Sequence, residues 1–68
     1  MNLKQLSNSQ LNSLIDEWIH SERDRKIMKR RFIDGIVYER LAEEFDISDR
    51  HIKNITYKLT DILNEHIT

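Results

Sequence analysis

The stretch that most constrains the fold is Tyr38–Tyr57, which reads YERLAEEFDISDRHIKNITY. Apolar residues recur in it with helical spacing on both sides of a short break, at Leu41, Ala42 and Phe45 and then at Ile52 and Ile55. Two helices joined by so short a break cross at close range, and the small side chain of Ala42 suits the point of closest approach. The spacing predicts a helix-turn-helix, and the alternative is an ordinary helical hairpin in a small bundle.

The turn between these two helices has residues that suit its backbone. Asp46 stands where a left-handed conformation is expected, which aspartate tolerates better than most residues. Ser48 is predicted to cap the following helix, with Ile47 and Ile52 as a hydrophobic staple. Val37 cannot accept a hydrogen bond at the start of the preceding helix, so we expect that helix to begin without a side-chain cap.

Length and composition limit the rest of the chain. With 68 residues, we expect one domain over 1–68 with a small core. No proline and a single glycine favour helices, so the predicted fold class is all-α. The lack of cysteine and of an apolar run near the roughly 18 residues that span a bilayer predicts a cytoplasmic protein with no membrane partner. Because the chain begins with Met1 and ends on a short tail, we expect a complete small gene product.

Capping residues and apolar spacing predict four helices, over about 8–20, 22–34, 38–45 and 49–66. Ser7 with Gln10 forms a capping box for the first helix, and Ser21 caps the second. Gly35 is predicted at the C′ position, which ends the second helix. Trp18 continues the apolar face of the first helix and is predicted to lie in the core, with its indole N–H toward an edge.

The fourth helix is longer than the second helix of such a motif usually is. Its apolar stripe runs through Ile52, Ile55, Leu59, Ile62 and His66, with Thr56, Leu63 and Ile67 alongside. The second half of the stripe needs a partner, which is either the first helix or the same helix of a second chain. Packing within the chain is favoured, because the first helix otherwise has no face to bury against.

The opposite face of the fourth helix is polar, and its first half is basic and amide-bearing. A helical wheel at about 100° per residue places there Arg50, Asn54, Tyr57 and Asp61, flanked by Lys53 and Lys58. In the major groove of DNA, Arg50 can donate two hydrogen bonds to guanine and Asn54 can pair with adenine. Asp49 either accepts from a cytosine amino group or only stabilises the helix start. A solvated helix face is the alternative for the whole set.

Phosphate contacts are predicted for a second group of residues. On the fourth helix this group comprises His51, Lys53, Tyr57 and Lys58, and Tyr38 can donate its hydroxyl in the same way. Six of the eleven lysines and arginines fall in residues 23–31. Of these, Arg25, Lys29 and Arg30 form a candidate backbone clamp, and plain solvent-facing charge is the alternative. The net charge of −1 means that any basic surface is local.

Catalysis and metal binding are not expected. Glu17 and His20 form a single E-x-x-H, whereas di-metal bundles need two such motifs and further carboxylates. The three histidines, His20, His51 and His66, share no ligand spacing. No glycine-rich phosphate loop and no recognisable nucleophile are present. We therefore predict a protein that is not an enzyme and has no catalytic residue, metal or cofactor.

Three motifs occur in an order that resembles a known family. They are a basic helix ending in Asp34-Gly35, then YERLA at 38–42, then Ile47-Ser48 leading into IKNI at 52–55. Over residues 22–63 the chain is similar to the promoter-reading region-four domain of bacterial sigma factors and its stand-alone phage relatives. That family inserts a recognition helix into the major groove at the promoter −35 element, which implies DNA contacts at Asp49, Arg50, Lys53 and Asn54. Asp46 and Val37 replace the usual turn glycine and threonine cap.

A second resemblance covers shorter segments. Ile52-Lys53 and Lys58-Leu59 look like the corresponding segments of LuxR-type output domains, which share the four-helix plan and dimerise through the last helix.

The sigma-factor resemblance implies a small stand-alone regulator of transcription, of phage, mobile-element or bacterial origin, that binds double-stranded DNA near promoters. We do not expect a complete sigma factor, because nothing in these 68 residues is large enough to bind the polymerase clamp and melt promoter DNA. Two further partners stay open, RNA polymerase and a second copy bound through the last helix. The alternative function, which the near-neutral charge leaves open, is a protein-binding adaptor or anti-activator that contacts RNA polymerase or a regulator without reading DNA. An assembly element using the last helix is a third.

Overall fold

The computed structural model describes residues 3–67, and it consists of helices joined by short connections. A 3-10 turn at Leu3–Gln5 is followed by α1 (Asn8–Trp18), α2 (Glu22–Phe32), α3 (Tyr38–Phe45) and α4 (Asp49–Glu65). No strand occurs within 3–67. The predicted all-α fold class with four helices and an extended last helix is confirmed.

The first two helices begin at their predicted caps and end two residues earlier than expected. The Ser7 side chain accepts from the Gln10 N–H in a complete capping box, and the Ser21 side chain accepts from the Asp24 N–H. After α1 the backbone turns extended at Ile19, which carries that side chain into the core at 3% exposure. The helix therefore stops at Trp18 rather than at residue 20, because the chain must straighten before the next cap.

The end of α2 is a wide turn. The Ile33 and Asp34 N–H groups both donate to the Lys29 carbonyl, and the Ile36 N–H donates to the Arg30 carbonyl at 3.0 Å. Gly35 has the left-handed backbone expected of it, with φ at 73°. It lies two residues after the C-cap Ile33, so its predicted C′ position was wrong by one residue.

The helix-turn-helix itself follows the sequence pattern closely. Val37 makes no side-chain cap, as predicted, and Asp46 is left-handed at φ 54°. The Ile47 N–H reaches back to the Ala42 carbonyl at 3.0 Å and closes the turn. Ser48 then accepts from the His51 N–H at 3.1 Å and starts α4. These bonds occupy backbone groups that a helix end leaves unpaired, so they fix how α3 enters α4.

Two apolar clusters form the core, and α4 takes part in both. The upper cluster joins α2, α3 and the first half of α4 through Ile27, Leu41 and Ile52. The lower cluster joins the 3-10 turn, α1, α2 and the second half of α4 through Leu3, Leu11, Ile15, Ile19, Met28, Leu59 and Leu63. The second half of α4 thus packs on α1, which confirms the favoured prediction of packing within the chain.

The buried stripe of α4 is rotated from the predicted one. Its fully buried members are Ile52, Thr56 and Leu63, with Leu59 at 8% exposure, whereas Ile55 and Ile62 are only half-buried. Thr56 is accommodated because its hydroxyl donates to the Ile52 carbonyl at 2.9 Å. A buried hydroxyl without such a bond would be strongly unfavourable.

Trp18 is not in the core, which corrects its predicted place. Its side chain is 39% exposed, and its ring stacks on His66 with centroids 3.6 Å apart and planes 2° from parallel. The helix ends at Trp18, and the core position on that side goes to Ile19 instead. His66, predicted on the apolar stripe, is also exposed. The stack joins the end of α1 to the end of α4.

Candidate nucleic-acid interface

The outer face of α4 presents the polar side chains that the wheel predicted there. Arg50, Asn54, Tyr57, Lys58 and Asp61 are all exposed, and Tyr57 is 56% exposed despite its aromatic ring. A base edge can be read only by side chains with free donors and acceptors. The exposed groups at the start of this face, Arg50 and Asn54, meet that condition, since neither forms an ion pair or side-chain hydrogen bond with residues 3–67.

Asp49 and Lys53 lie one turn apart at the start of α4 and form an ion pair. Asp49 Oδ2 is 3.2 Å from Lys53 Nζ. Asp49 Oδ1 is buried and has no hydrogen-bond partner. Both side chains line an open cleft of about 350 Å³ together with Val37, Tyr38 and Glu39. The cleft lies where the first turns of α3 and α4 meet.

Tyr38 is the centre of an aromatic and cationic cluster. Its ring meets the edge of the Tyr57 ring at a centroid distance of 6.3 Å and an interplanar angle of 79°. Arg31 Cζ lies 4.3 Å from the Tyr38 ring centroid, and Lys53 Nζ lies 5.9 Å from it. These distances are typical of cation–π contacts. The structure therefore brings together three of the predicted phosphate-contacting residues: Tyr38, Lys53 and Tyr57.

Arg31 is a member of this cluster that the sequence prediction missed. In that prediction it is only one of the six cations of residues 23–31 and has no assigned contact. Its position four residues after Ile27 and three after Met28, both fully buried, was the signal that it flanks the buried face. It also donates from Nη1 to the Ile36 carbonyl at 3.1 Å, so it fixes the start of α3 from two sides.

The candidate clamp residues of α2 all have partners within the protein. Arg25 Nε donates to the Ile19 carbonyl at 2.5 Å. Lys29 Nζ is 2.6 Å from Asp16 Oδ1. Arg30 contacts both carboxylate oxygens of Glu44, at 2.9 and 3.0 Å. These contacts tie α2 to α1 and α3, so the three side chains do not continue the free polar face of α4.

Arg30 is held by a second carboxylate as well. Its Nη1 lies 3.1 Å from Asp34 Oδ2. The hydrogen bond that Arg30 donates to Glu44, followed by the one it donates to Asp34, raises the pKa of Arg30 above its ordinary value. The guanidinium is therefore charged at any pH of interest, and its role is to join α2, the following loop and α3.

Two more basic side chains of the helix-turn-helix are exposed. His51 is exposed on α4, as its predicted phosphate contact requires. Arg40, on α3, is exposed and forms no ion pair with the described part of the chain. The sequence prediction passed over Arg40, although its single positive charge within YERLAEE was visible.

Two other kinds of site are not found in residues 3–67. No group of three or more histidine, aspartate or glutamate side chains could hold a metal ion there. No helix of that part combines the length and the apolar character needed to cross a membrane.

Comparison with known proteins agrees with the geometry. The model of the family "Sigma-70, region 4" matches residues 21–58, which comprise α2 with its cap, all of α3 and the first half of α4. This family consists of DNA-binding helix-turn-helix domains. No curated protein and no solved structure gives a significant match. Since the match covers more than half of the chain and coincides with the helix-turn-helix, this protein belongs to the sigma-70 region 4 family.

Proposed function

We propose that this protein binds double-stranded DNA in a sequence-specific manner by inserting the first half of α4 into the major groove. The observation that carries the proposal is the outer face of α4, where Arg50 and Asn54 stand exposed without partners in residues 3–67. Arginine recognises guanine and asparagine recognises adenine through paired hydrogen bonds. Asp49, whose side chain is half-exposed at the first turn of α4, is the third base-reading residue.

Phosphate contacts are assigned to the residues around this face. On α4 they are His51, Lys53, Tyr57 and Lys58, and on the neighbouring α3 they are Tyr38 and Arg40. Such contacts fix the orientation of the protein and do not read sequence. Arg25, Lys29 and Arg30 remain a secondary clamp, since each would have to exchange a partner within the protein for a phosphate.

The biological role that fits this activity is regulation of transcription near promoters by a stand-alone domain. The lower cluster supports a stand-alone domain, because α1 and the second half of α4 cover each other outside the matched residues 21–58. Region 4 of sigma factors also binds RNA polymerase, so polymerase is the second partner of this proposal. Promoters and polymerase share the cytoplasm of a bacterial or phage-infected cell, which is the location the proposal requires.

The experiment that tests DNA binding is a titration with random duplex DNA at 50 mM salt and at increasing salt. A DNA-binding protein should lose affinity steeply as salt rises, by roughly 0.9 logarithmic units per phosphate contact and per tenfold in salt. No binding at 50 mM salt would refute the proposal. It would favour the adaptor instead. Five of the six ion pairs of residues 3–67 neutralise cations of α2, which leaves fewer free cations for DNA.

Selection of bound sites from a random DNA library then tests sequence specificity. Enrichment of one short site is the expected result, and an unenriched pool would contradict base reading. A single asymmetric site would indicate a monomer acting beside polymerase, whereas a palindrome would indicate the homodimer that the long last helix left open.

A further inference from the structure

The Lys53 ammonium group contacts two side chains of the protein on the surface assigned to DNA. Its ammonium group is 3.2 Å from the carboxylate of Asp49, one turn earlier on α4. The same group lies 5.9 Å from the Tyr38 ring centroid, toward α3. Both contacts bring the ammonium into the cleft between the two helix starts. A phosphate would have to compete with both contacts for this cation.

The charge of that cleft is unusual for a surface assigned to DNA. Two of its lining residues, Glu39 and Asp49, carry carboxylates, and only Lys53 is a cation. DNA carries one negative charge per roughly 1.7 Å of helix axis, so a cleft with an excess of acid repels any duplex regardless of sequence. By contrast, Arg50, which follows Asp49 in the chain, is exposed and forms no ion pair with residues 3–67.

We propose that Asp49 is a specificity-determining residue that acts through Lys53, an inference that rests on the proposed DNA binding. By pairing with Lys53, Asp49 withdraws one cation from the phosphate contacts that every sequence offers equally. Discrimination is the difference between the binding free energies of two DNA sequences, so weaker binding to random DNA raises it when the affinity for the correct site is kept. In the correct complex, rotation of the half-exposed Asp49 side chain brings its carboxylate to a base amino group and releases Lys53 to a phosphate.

The test compares Asp49→Asn with Asp61→Asn, a control on the same helix. Both changes remove one negative charge, and Asp61 is exposed and forms no ion pair with the described residues. At 0.1 M salt, Asp49→Asn should raise affinity for random duplex about three- to tenfold and steepen the salt dependence by about 0.9 logarithmic units. Asp61→Asn should change affinity by less than about twofold, because Asp61 lies about three helical turns further along. The ratio of affinities for the selected and random DNA should fall only in Asp49→Asn.

A double-mutant cycle with Lys53→Gln isolates the link between the two residues. In the Lys53→Gln background, Asp49→Asn should change affinity for random DNA no more than Asp61→Asn does. A full effect in that background, or equal effects of the two aspartate changes in the wild-type background, would overturn the inference while leaving DNA binding intact. If the wild-type protein binds no DNA at 50 mM salt, the proposed function fails as well, and the two failures are thereby distinguished.

Discussion

At the scale of single residues, two sets of cations within residues 3–67 differ in whether they already have partners. Lys29 and Arg30 form close ion pairs with carboxylates on other parts of the fold. Arg40, Arg50 and Lys58 are exposed and form no ion pair with residues 3–67. Exposed ion pairs contribute little to stability, so the more important effect of the first group is to remove charge from the surface. The second group is what remains available to an anionic partner.

Arg50→Ala tests whether α4 reads bases. We expect a loss of about 1–3 kcal/mol in discrimination at one position of the selected site, because one pair of hydrogen bonds to guanine disappears. The measurement is a binding panel in which each base pair of the site is changed in turn. Lys58→Ala is the matched control, since it should weaken binding to all members of the panel alike. A uniform loss in Arg50→Ala as well would count against base reading.

Trp18→Ala tests the contact between the ends of α1 and α4. The ring is 39% exposed and stacked on His66, so we expect a loss of about 1–2 kcal/mol in the free energy of unfolding. A fully buried tryptophan would cost about 3–5 kcal/mol. Urea unfolding followed by circular dichroism gives the value. A loss in the higher range would mean that the side chain is buried after all.

At the scale of secondary-structure elements, the sequence predicted where the helices begin, but it did not predict the contacts between them. Ser7, Ser21 and Ser48 act within four residues of chain, so local sequence determines their bonds. The left-handed turn at Asp46 is equally local. The ion pair between Arg30 and Glu44 joins residues 14 apart, and it depends on how α2 and α3 cross. No pattern in the sequence gives that crossing directly.

The side of α4 that is buried shows the same limit. Apolar spacing predicted a stripe, and the stripe exists. Its centre lies toward Thr56 and Leu63, and Thr56 can be buried there because its hydroxyl donates to the Ile52 carbonyl. The predicted burial of Trp18 was wrong for a related reason: α1 ends before Ile19, and Ile19 occupies the core position instead. The exposed face, which is read from the same wheel, was predicted correctly at Arg50, Asn54 and Tyr57.

Val37→Thr tests the missing cap of α3. Val37 is 56% exposed and caps nothing, so the substitution removes no core contact and adds an acceptor for the first turn. We expect an increase of about 1 kcal/mol in the free energy of unfolding. Val37→Ala serves as the control, because it shortens the side chain without adding an acceptor. If urea unfolding shows equal stability for the two variants, the first turn of α3 is not limited by its cap.

At the scale of the whole molecule, α4 contributes to both apolar clusters, and few other elements do. Its first half completes the upper cluster with Ile52, and its second half completes the lower one with Leu59 and Leu63. Loss of either cluster therefore loosens the helix on which the other depends. We expect the two clusters to unfold together in one transition, as small domains usually do.

Leu63→Ala tests this coupling far from the proposed DNA surface. Leu63 is fully buried in the lower cluster, so we expect a loss of about 2–5 kcal/mol in the free energy of unfolding. Ile62→Ala is the neighbouring control and should cost less, because Ile62 is half-buried. Where the variant is still folded, its affinity for DNA should equal that of the wild type. A weakened affinity of the folded variant would show that the lower cluster shapes the reading surface as well.

The stacked pair of Trp18 and His66 also gives the protein an intrinsic fluorescence signal. Trp18 is the single tryptophan of the chain, and it lies against the last turn of the molecule, roughly 25 Å along α4 from Asp49. Its fluorescence therefore reports whether the two ends are joined, and it does so from outside the proposed DNA surface. One emission signal can follow unfolding of the lower cluster during a DNA titration, without a label and without a contribution from the ligand.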